Sequence, residues 1–130
     1  MSEVQEMTPY HLLGGEAVLR QLVDRFYDIM ATDPVAADIH AMHAADTTEI
    51  RQKFFEFLSG WMGGPQLFVE KYGHPRLRMR HMPFAIGETE RDQWLYCMFK
   101  AMDDVPMDGA LYEHLQESFY RTADFMRNQG

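Results

Sequence analysis

Apolar positions recur along the chain at helical spacing. Val18, Leu19, Leu22, Val23, Phe26, Tyr27 and Met30 follow one another at three- and four-residue steps, which predicts an amphipathic helix over residues 16–30. Before it, Thr8 followed by Pro9 reads as an N-cap with a proline in the first turn, opening a short helix that Gly14 and Gly15 interrupt. Asp33 and Pro34 repeat that signal and predict a helical turn reaching about His40. Asp46 with Glu49 three residues on has the form of a capping box, and Ile50, Phe54, Phe57, Leu58 and Trp61 make the next apolar stripe, which Gly63, Gly64 and Pro65 end. The following stretch is cut by His74-Pro75 and Met82-Pro83 and is expected to be irregular. Thr89 is expected to cap a helix carrying Trp94, Leu95, Met98, Phe99 and Met102. Asp108 opens the last one, with Leu111, Leu115, Phe119, Thr122, Phe125 and Met126 on one face. Strict alternation is not sustained anywhere, and no Asn-Gly or Asp-Gly turn links β-branched runs, so the predicted class is all-α.

A chain of 130 residues with 46% hydrophobic and 25% charged residues is expected to form a single domain over 1–130 with one core, residues 1–7 being a flexible extension. Cys97 is the only cysteine, which excludes an internal disulfide framework and a Cys-based zinc site. Twenty acidic against twelve basic residues give a formal charge of −8, which opposes attraction to nucleic acid or anionic lipid. The N-terminal residues are neither basic nor apolar, and no run of about 18 apolar residues occurs, so a soluble cytoplasmic protein is expected. Eleven Met and an aromatic content of 13% suit an irregular cavity or an adaptable core.

Positive charge is concentrated in GHPRLRMRHMPF, residues 73–84, where Arg76, Arg78, Arg80, His74 and His81 crowd together. On a helix Leu77 and His81 share a line, with arginines about 100° to either side. An imidazole there could point inward as a ligand while a guanidinium neutralises an anion at the rim. A solvated basic turn with a hydrogen-bonded histidine satisfies the same spacing. His40 and His43 lie three apart but gain no third ligand at helical spacing. No G-x-S-x-G, phosphate-cradling glycine loop or H-E-x-x-H is present. Tyr27 and Trp94, each on an apolar helix face, would carry a polar hydrogen inward, where it needs an acceptor. A backbone carbonyl would serve, and so would a bound diatomic ligand.

Four blocks, RFY at 25–27, W-x-G-G-P at 61–65, GHPRLRMRHMPF at 73–84 and ERDQWLYCM at 90–98, resemble those of the group II truncated haemoglobins in order and spacing. The resemblance implies a shortened globin fold, two helices packed across two others around haem b, with glycine pairs allowing sharp turns. It makes His81 the axial ligand of the haem iron. It makes Tyr27 and Trp94 hydrogen-bond donors to bound ligand, with His40 as a third distal residue. Ile50 and Phe54 fall on the distal helix and donate nothing. Lys53, Arg80 and Tyr72 become partners of the propionates, and Met82 and Phe84 complete the pocket.

The expectation is therefore a protein that binds O₂ and other diatomic gases reversibly. Peroxidase-like or nitric oxide dioxygenase turnover at the same site would draw on a separate reductase, because the chain has no flavin or nicotinamide motif. The alternative from another class is a haem-free all-α interaction module whose Met and aromatic residues only fill a core.

Overall fold

The computed structural model describes residues 8–129, so the extension expected over residues 1–7 lies outside the described residues. Helix α1 (Pro9–Leu13) starts as expected: the Thr8 hydroxyl accepts from the His11 amide, and Pro9 occupies the first turn. Helix α2 (Glu16–Thr32) follows, with Leu19, Leu22, Val23, Phe26, Tyr27, Ile29 and Met30 buried along one side. Asp33 then accepts from the Val35 amide and opens a 3₁₀ turn, Pro34–Ala36, that runs into the single helical turn α3 (Ala37–His40).

Helix α4 (Thr48–Trp61) departs from the capping box expected at Asp46. The Asp46 carboxylate accepts from both the amide and the hydroxyl of Thr48, forming an Asx turn that closes on the first helical residue instead of a box with Glu49. The chain leaves α4 through Gly63 and Gly64. Gly63 has φ +87°, and a Cβ on Gly64 would overlap the Tyr10 ring, so the turn depends on glycine for backbone sign at one residue and for clearance at the next. Two short helices, α5 (Leu67–Tyr72) and α6 (Leu77–His81), occupy the stretch expected to be irregular, and neither buries a residue.

Helix α7 (Glu88–Asp103) begins one residue ahead of Thr89. The Glu90 carboxylate reaches back to accept from the Gly87 amide, so Gly87 is the cap. Helix α8 (Gly109–Phe125) is opened by Asp108, whose carboxylate accepts from the Ala110 and Leu111 amides. Phe125, placed on the buried face by the sequence pattern, is 63% exposed, while Ala123 and Met126 are buried. At about 100° per residue, Met126 returns to the line of Phe119 whereas Phe125 falls well off it.

Helix α2 packs on α4 and on α7, and α7 packs on α8. The two pairs, α2 with α4 and α7 with α8, share one core that includes Phe26, Leu58, Met98, Met102, Leu115 and Phe119. Phe26 is 1% exposed and meets the rings of Tyr27, Phe54 and Trp94, so truncating it to alanine would cost about 3–5 kcal/mol. A polar chain ties the second tier together. Arg20 donates to Gln52, Gln52 donates to the buried Glu56 carboxylate, and Lys71 of α5 pairs with the same carboxylate at 3.2 Å. No helix among the described residues is long and apolar enough to cross a membrane.

Candidate functional site

His81 ends α6, and its ring Nδ1 lies 2.7 Å from the Leu77 carbonyl oxygen. A carbonyl can only accept, so Nδ1 is the donor, and in the neutral ring Nε2 then keeps a lone pair for a ligand bond. The four-residue step seen in the sequence is the step this hydrogen bond spans. Arg76 precedes the helix in the left-handed region at φ 49°, a conformation rarely adopted by a non-glycine residue, and its amide donates to His74 Nδ1.

Tyr27 and Trp94 come from different helices, α2 and α7, and meet in one aromatic cluster. The Phe26 ring lies 4.9 Å from Tyr27 and 5.2 Å from Trp94, and Phe54 of α4 lies 6.0 and 6.2 Å from the same two rings. Tyr27 is buried and Trp94 half-buried. Among the described residues neither the Tyr27 hydroxyl nor the Trp94 indole N–H has a hydrogen-bond acceptor. Burial pushes the Tyr27 phenol well above its ordinary pKa, an effect only partly opposed by the nearby Arg51 guanidinium. The hydroxyl therefore remains a donor throughout the physiological range.

The histidine beside Tyr27 is His43, with ring centroids 6.0 Å apart; His40, the residue expected there, is exposed at the end of α3. Ile39 is buried and His40 one residue on faces away, while the turn that follows α3 brings His43 back to the inner side, where its Nδ1 donates to the Ile39 carbonyl at 2.8 Å. The sequence pattern also passed over Arg51. Its guanidinium lies 5.7 Å from the Tyr27 ring centre and pairs with Asp24 and Asp28, a cross-helix arrangement with no local signature.

Lys53, Tyr72 and Arg80 are drawn to one rim. Lys53 Nζ is 5.4 Å from the Tyr72 ring centre, Tyr72 is 4.7 Å from Phe68, and the Arg80 guanidinium is 5.7 Å from Phe68. Two cations thus flank the Phe68–Tyr72 pair. Ile50, Tyr72, Met82 and Phe84 are exposed at 38, 37, 53 and 42%. Phe54 and Phe57 on α4 are half-buried, while Phe55 beside them is buried under the Arg20 guanidinium, 3.8 Å from the ring centre.

These groups fit a haem in their chemistry: an imidazole nitrogen not engaged by the Leu77 bond, two cations flanking an aromatic pair, apolar side chains standing open to cover a large ring, and two donors without acceptors among the described residues. A separate concavity of about 320 Å³, lined by Pro9, Trp61, His114 and Ser118 among others, contains none of His81, Tyr27 or Trp94. Cys97 takes no part. It is fully buried, and burial pushes its thiol up to about 11.

The fold and site define a globin of the shortened, two-over-two type. The bacterial-like globin family model matches residues 8–128, and the chain belongs to that family. The truncated haemoglobin of the Antarctic marine bacterium Pseudoalteromonas haloplanktis TAC125 is 54% identical, with a TM-score of 0.92 over 95% of this chain and 99% of that one. The group 2 truncated hemoglobin YjbI of Bacillus subtilis is 43% identical over 121 residues, 93% of this chain and 89% of the relative. The structure of a truncated oxygen-avid haemoglobin from Bacillus subtilis is 41% identical, with a TM-score of 0.85 over 93% of this chain and 99% of that one. Nothing in these similarities supports a haem-free interaction module.

Proposed function

We propose that this chain is a haem b protein that binds O₂ and other diatomic gases reversibly, with His81 as the axial ligand and Tyr27, Trp94 and His43 on the gas-binding side. Haem, when bound, supplies the iron at which such gases bind. The chain supplies the rest. The Leu77 carbonyl holds the His81 proton on Nδ1 and fixes the ring, which directs Nε2 outward as a neutral ligand. Tyr27 Oη–H and Trp94 Nε1–H donate to the bound gas, and His43, not the exposed His40, stands beside Tyr27. Phe54, packed against both rings, offers no donor, and neither does Ile50 one turn before it on α4. Lys53 and Arg80, with Tyr72 between them, hold the propionates at the solvent rim, and Met82 and Phe84 cover the face beside His81.

The hydrogen bond from His81 to Leu77 is the observation that carries this reading, because it commits one ring nitrogen and frees the other. The reading extends to a cytoplasmic protein exchanging O₂ with solution, without nucleic acid or membrane partners. Any redox turnover of peroxide or nitric oxide would take its electrons from a separate reductase. The test is His81→Gly, purified with haem supplied. Loss of haem retention, restored by added imidazole, is expected; retention unchanged from the parent would exclude His81 as ligand.

A further inference from the structure

The Leu77 bond fixes the His81 ring relative to α6, but α6 is five residues long and buries none of them, so its own packing does not fix where the helix, and with it His81, points. Hydrogen bonds from the far end of the chain do reach it. We propose that the segment following α8 is a strap that aims His81, and that Asn128 is the positioning residue through which it acts; this rests on the reading of His81 as axial ligand.

The Asn128 side chain spans the loop that follows His81. Its Nδ2 donates to the Phe84 carbonyl at 2.8 Å and to the His81 carbonyl at 3.4 Å, while its Oδ1 accepts from the Ile86 amide at 2.9 Å. The Asn128 backbone amide donates to the Ile86 carbonyl at 2.8 Å, and the Gln129 amide joins it at 3.1 Å. The His81 carbonyl also accepts from the Phe84 amide at 3.0 Å, so the Asn128 amide adds a second, longer bond there and takes up the Phe84 carbonyl beyond the helix end. From the other side of the strap, Arg78 donates to the carbonyls of Phe125 and Arg127 at 3.1 and 3.0 Å. Bonds therefore cross the gap in both directions.

A strap positions something only if it is itself fixed. Ala123 and Met126 are buried. The Asp124 carboxylate pairs with Arg91 of α7 at 2.7 Å and with Arg127 at 2.8 Å, which holds it below the usual carboxylate range. Helix α7 also carries Trp94, so the helix that places the gas-side donor anchors the strap that aims the axial imidazole. Fixing the carbonyls of His81 and Phe84 on either side of the Met82-Pro83 step fixes the backbone that sets the direction of the His81 Cα–Cβ bond. Loss of these bonds would spread the imidazole over a range of orientations, of which only a few present Nε2 squarely to a metal.

The experiment uses the haem-loaded full chain. Asn128→Ala and Asn128→Asp are compared with the parent by the iron–histidine stretching band of the reduced protein and by the rate of haem transfer to an excess of apomyoglobin. Asn128→Ala should broaden or shift the band and raise haem loss about tenfold, as expected for the loss of the three neutral bonds, one of them long, that its side chain makes to the loop. Asn128→Asp should do at least as much, because it sets a carboxylate against two carbonyl oxygens. Asn128→Ser keeps one donor and should fall between parent and alanine, and it carries the same test if the alanine variant does not fold. Asp108→Ala, which removes the cap at the opposite end of α8, is a control for lost stability alone and should leave the band in place. A parental band and haem-loss rate in the Asn128 variants, or an equal band shift in Asp108→Ala, would overturn the strap. Persistence of the band in His81→Gly would instead overturn the axial assignment on which the strap depends.

Discussion

Replacing Tyr27 or Trp94 by phenylalanine removes one donor hydrogen and leaves most of the ring packing in place. The size of the effect follows from where these groups sit. Tyr27 is 5% exposed and ringed by Phe26, Phe54 and His43, and neither its hydroxyl nor the Trp94 indole is committed to an acceptor among the described residues. No internal hydrogen bond among the described residues need break before either can meet a ligand. Bound O₂ takes up partial negative charge, and a hydrogen bond to a charged acceptor is worth ~1.5–3 kcal/mol. Each single substitution should therefore speed O₂ release by roughly ten- to a hundredfold. Carbon monoxide, which stays nearly neutral when bound, should respond much less. Because both donors would address one acceptor, the double variant should exceed either single one without reaching their product. The assay is stopped-flow release of O₂ and of CO from parent, Tyr27→Phe, Trp94→Phe and the double variant. Equal responses of the two gases would show that the residues gate the path sterically, and the hydrogen-bonding account would fail.

Lys53→Ala combined with Arg80→Ala should raise haem loss only a few-fold, and the difference should shrink in high salt, since both cations stand at an exposed rim; a rate indifferent to salt and mutation would place the propionates elsewhere. Asp33 accepts from Tyr96 at 2.7 Å, from the Val35 amide and from Lys100, which together hold its carboxyl below the ordinary range. A lowered folded-state pKa contributes stability that is present above the unfolded carboxyl pKa of about 3.9 and is lost as pH falls through the folded value. Asp33→Asn should thus flatten part of the acid limb of the unfolding midpoint against pH, and a parental acid limb would refute the assignment. Cys97, fully buried with a thiol raised to about 11, should react with Ellman's reagent only as fast as the protein opens, and immediate reaction in the folded protein would contradict its burial.

Most helix starts were legible because the interactions that make them are local. Thr8, Asp33 and Asp108 each bond amides two or three residues away, so residue type and spacing carry the information. Asp46 and Thr89 misled for the same reason read in reverse: a turn former adjacent to the helix bonds Thr48, and Glu90 reaches back to Gly87. Of the stripe Ile50, Phe54, Phe57, Leu58 and Trp61, Leu58 is buried, Phe54, Phe57 and Trp61 are half-buried and Ile50 is exposed, while Phe55, outside the stripe, is buried under Arg20 from another helix. Nothing in the α4 sequence records that exchange of faces. The Leu77 step that the His81 ring bond spans is local and so visible in the sequence, whereas the placing of His43 rather than His40 beside Tyr27 depends on which way Ile39 points, which no spacing records. The bonds from Asn128 to the loop after His81 join residues more than forty apart, beyond the reach of any periodicity.

The open apolar side chains at Ile50, Tyr72, Met82 and Phe84 carry a thermodynamic consequence. A ligand that covers them only in the folded state adds RT ln(1 + [L]/Kd) to stability, about 4 kcal/mol when free haem stands a thousandfold above its dissociation constant. The melting temperature of this chain is then not one number but a function of haem supply. Newly made polypeptide in a haem-poor cell would sit nearer its unfolding threshold and be cleared by proteases sooner, so abundance of the protein would follow availability of its cofactor without any regulator of its gene.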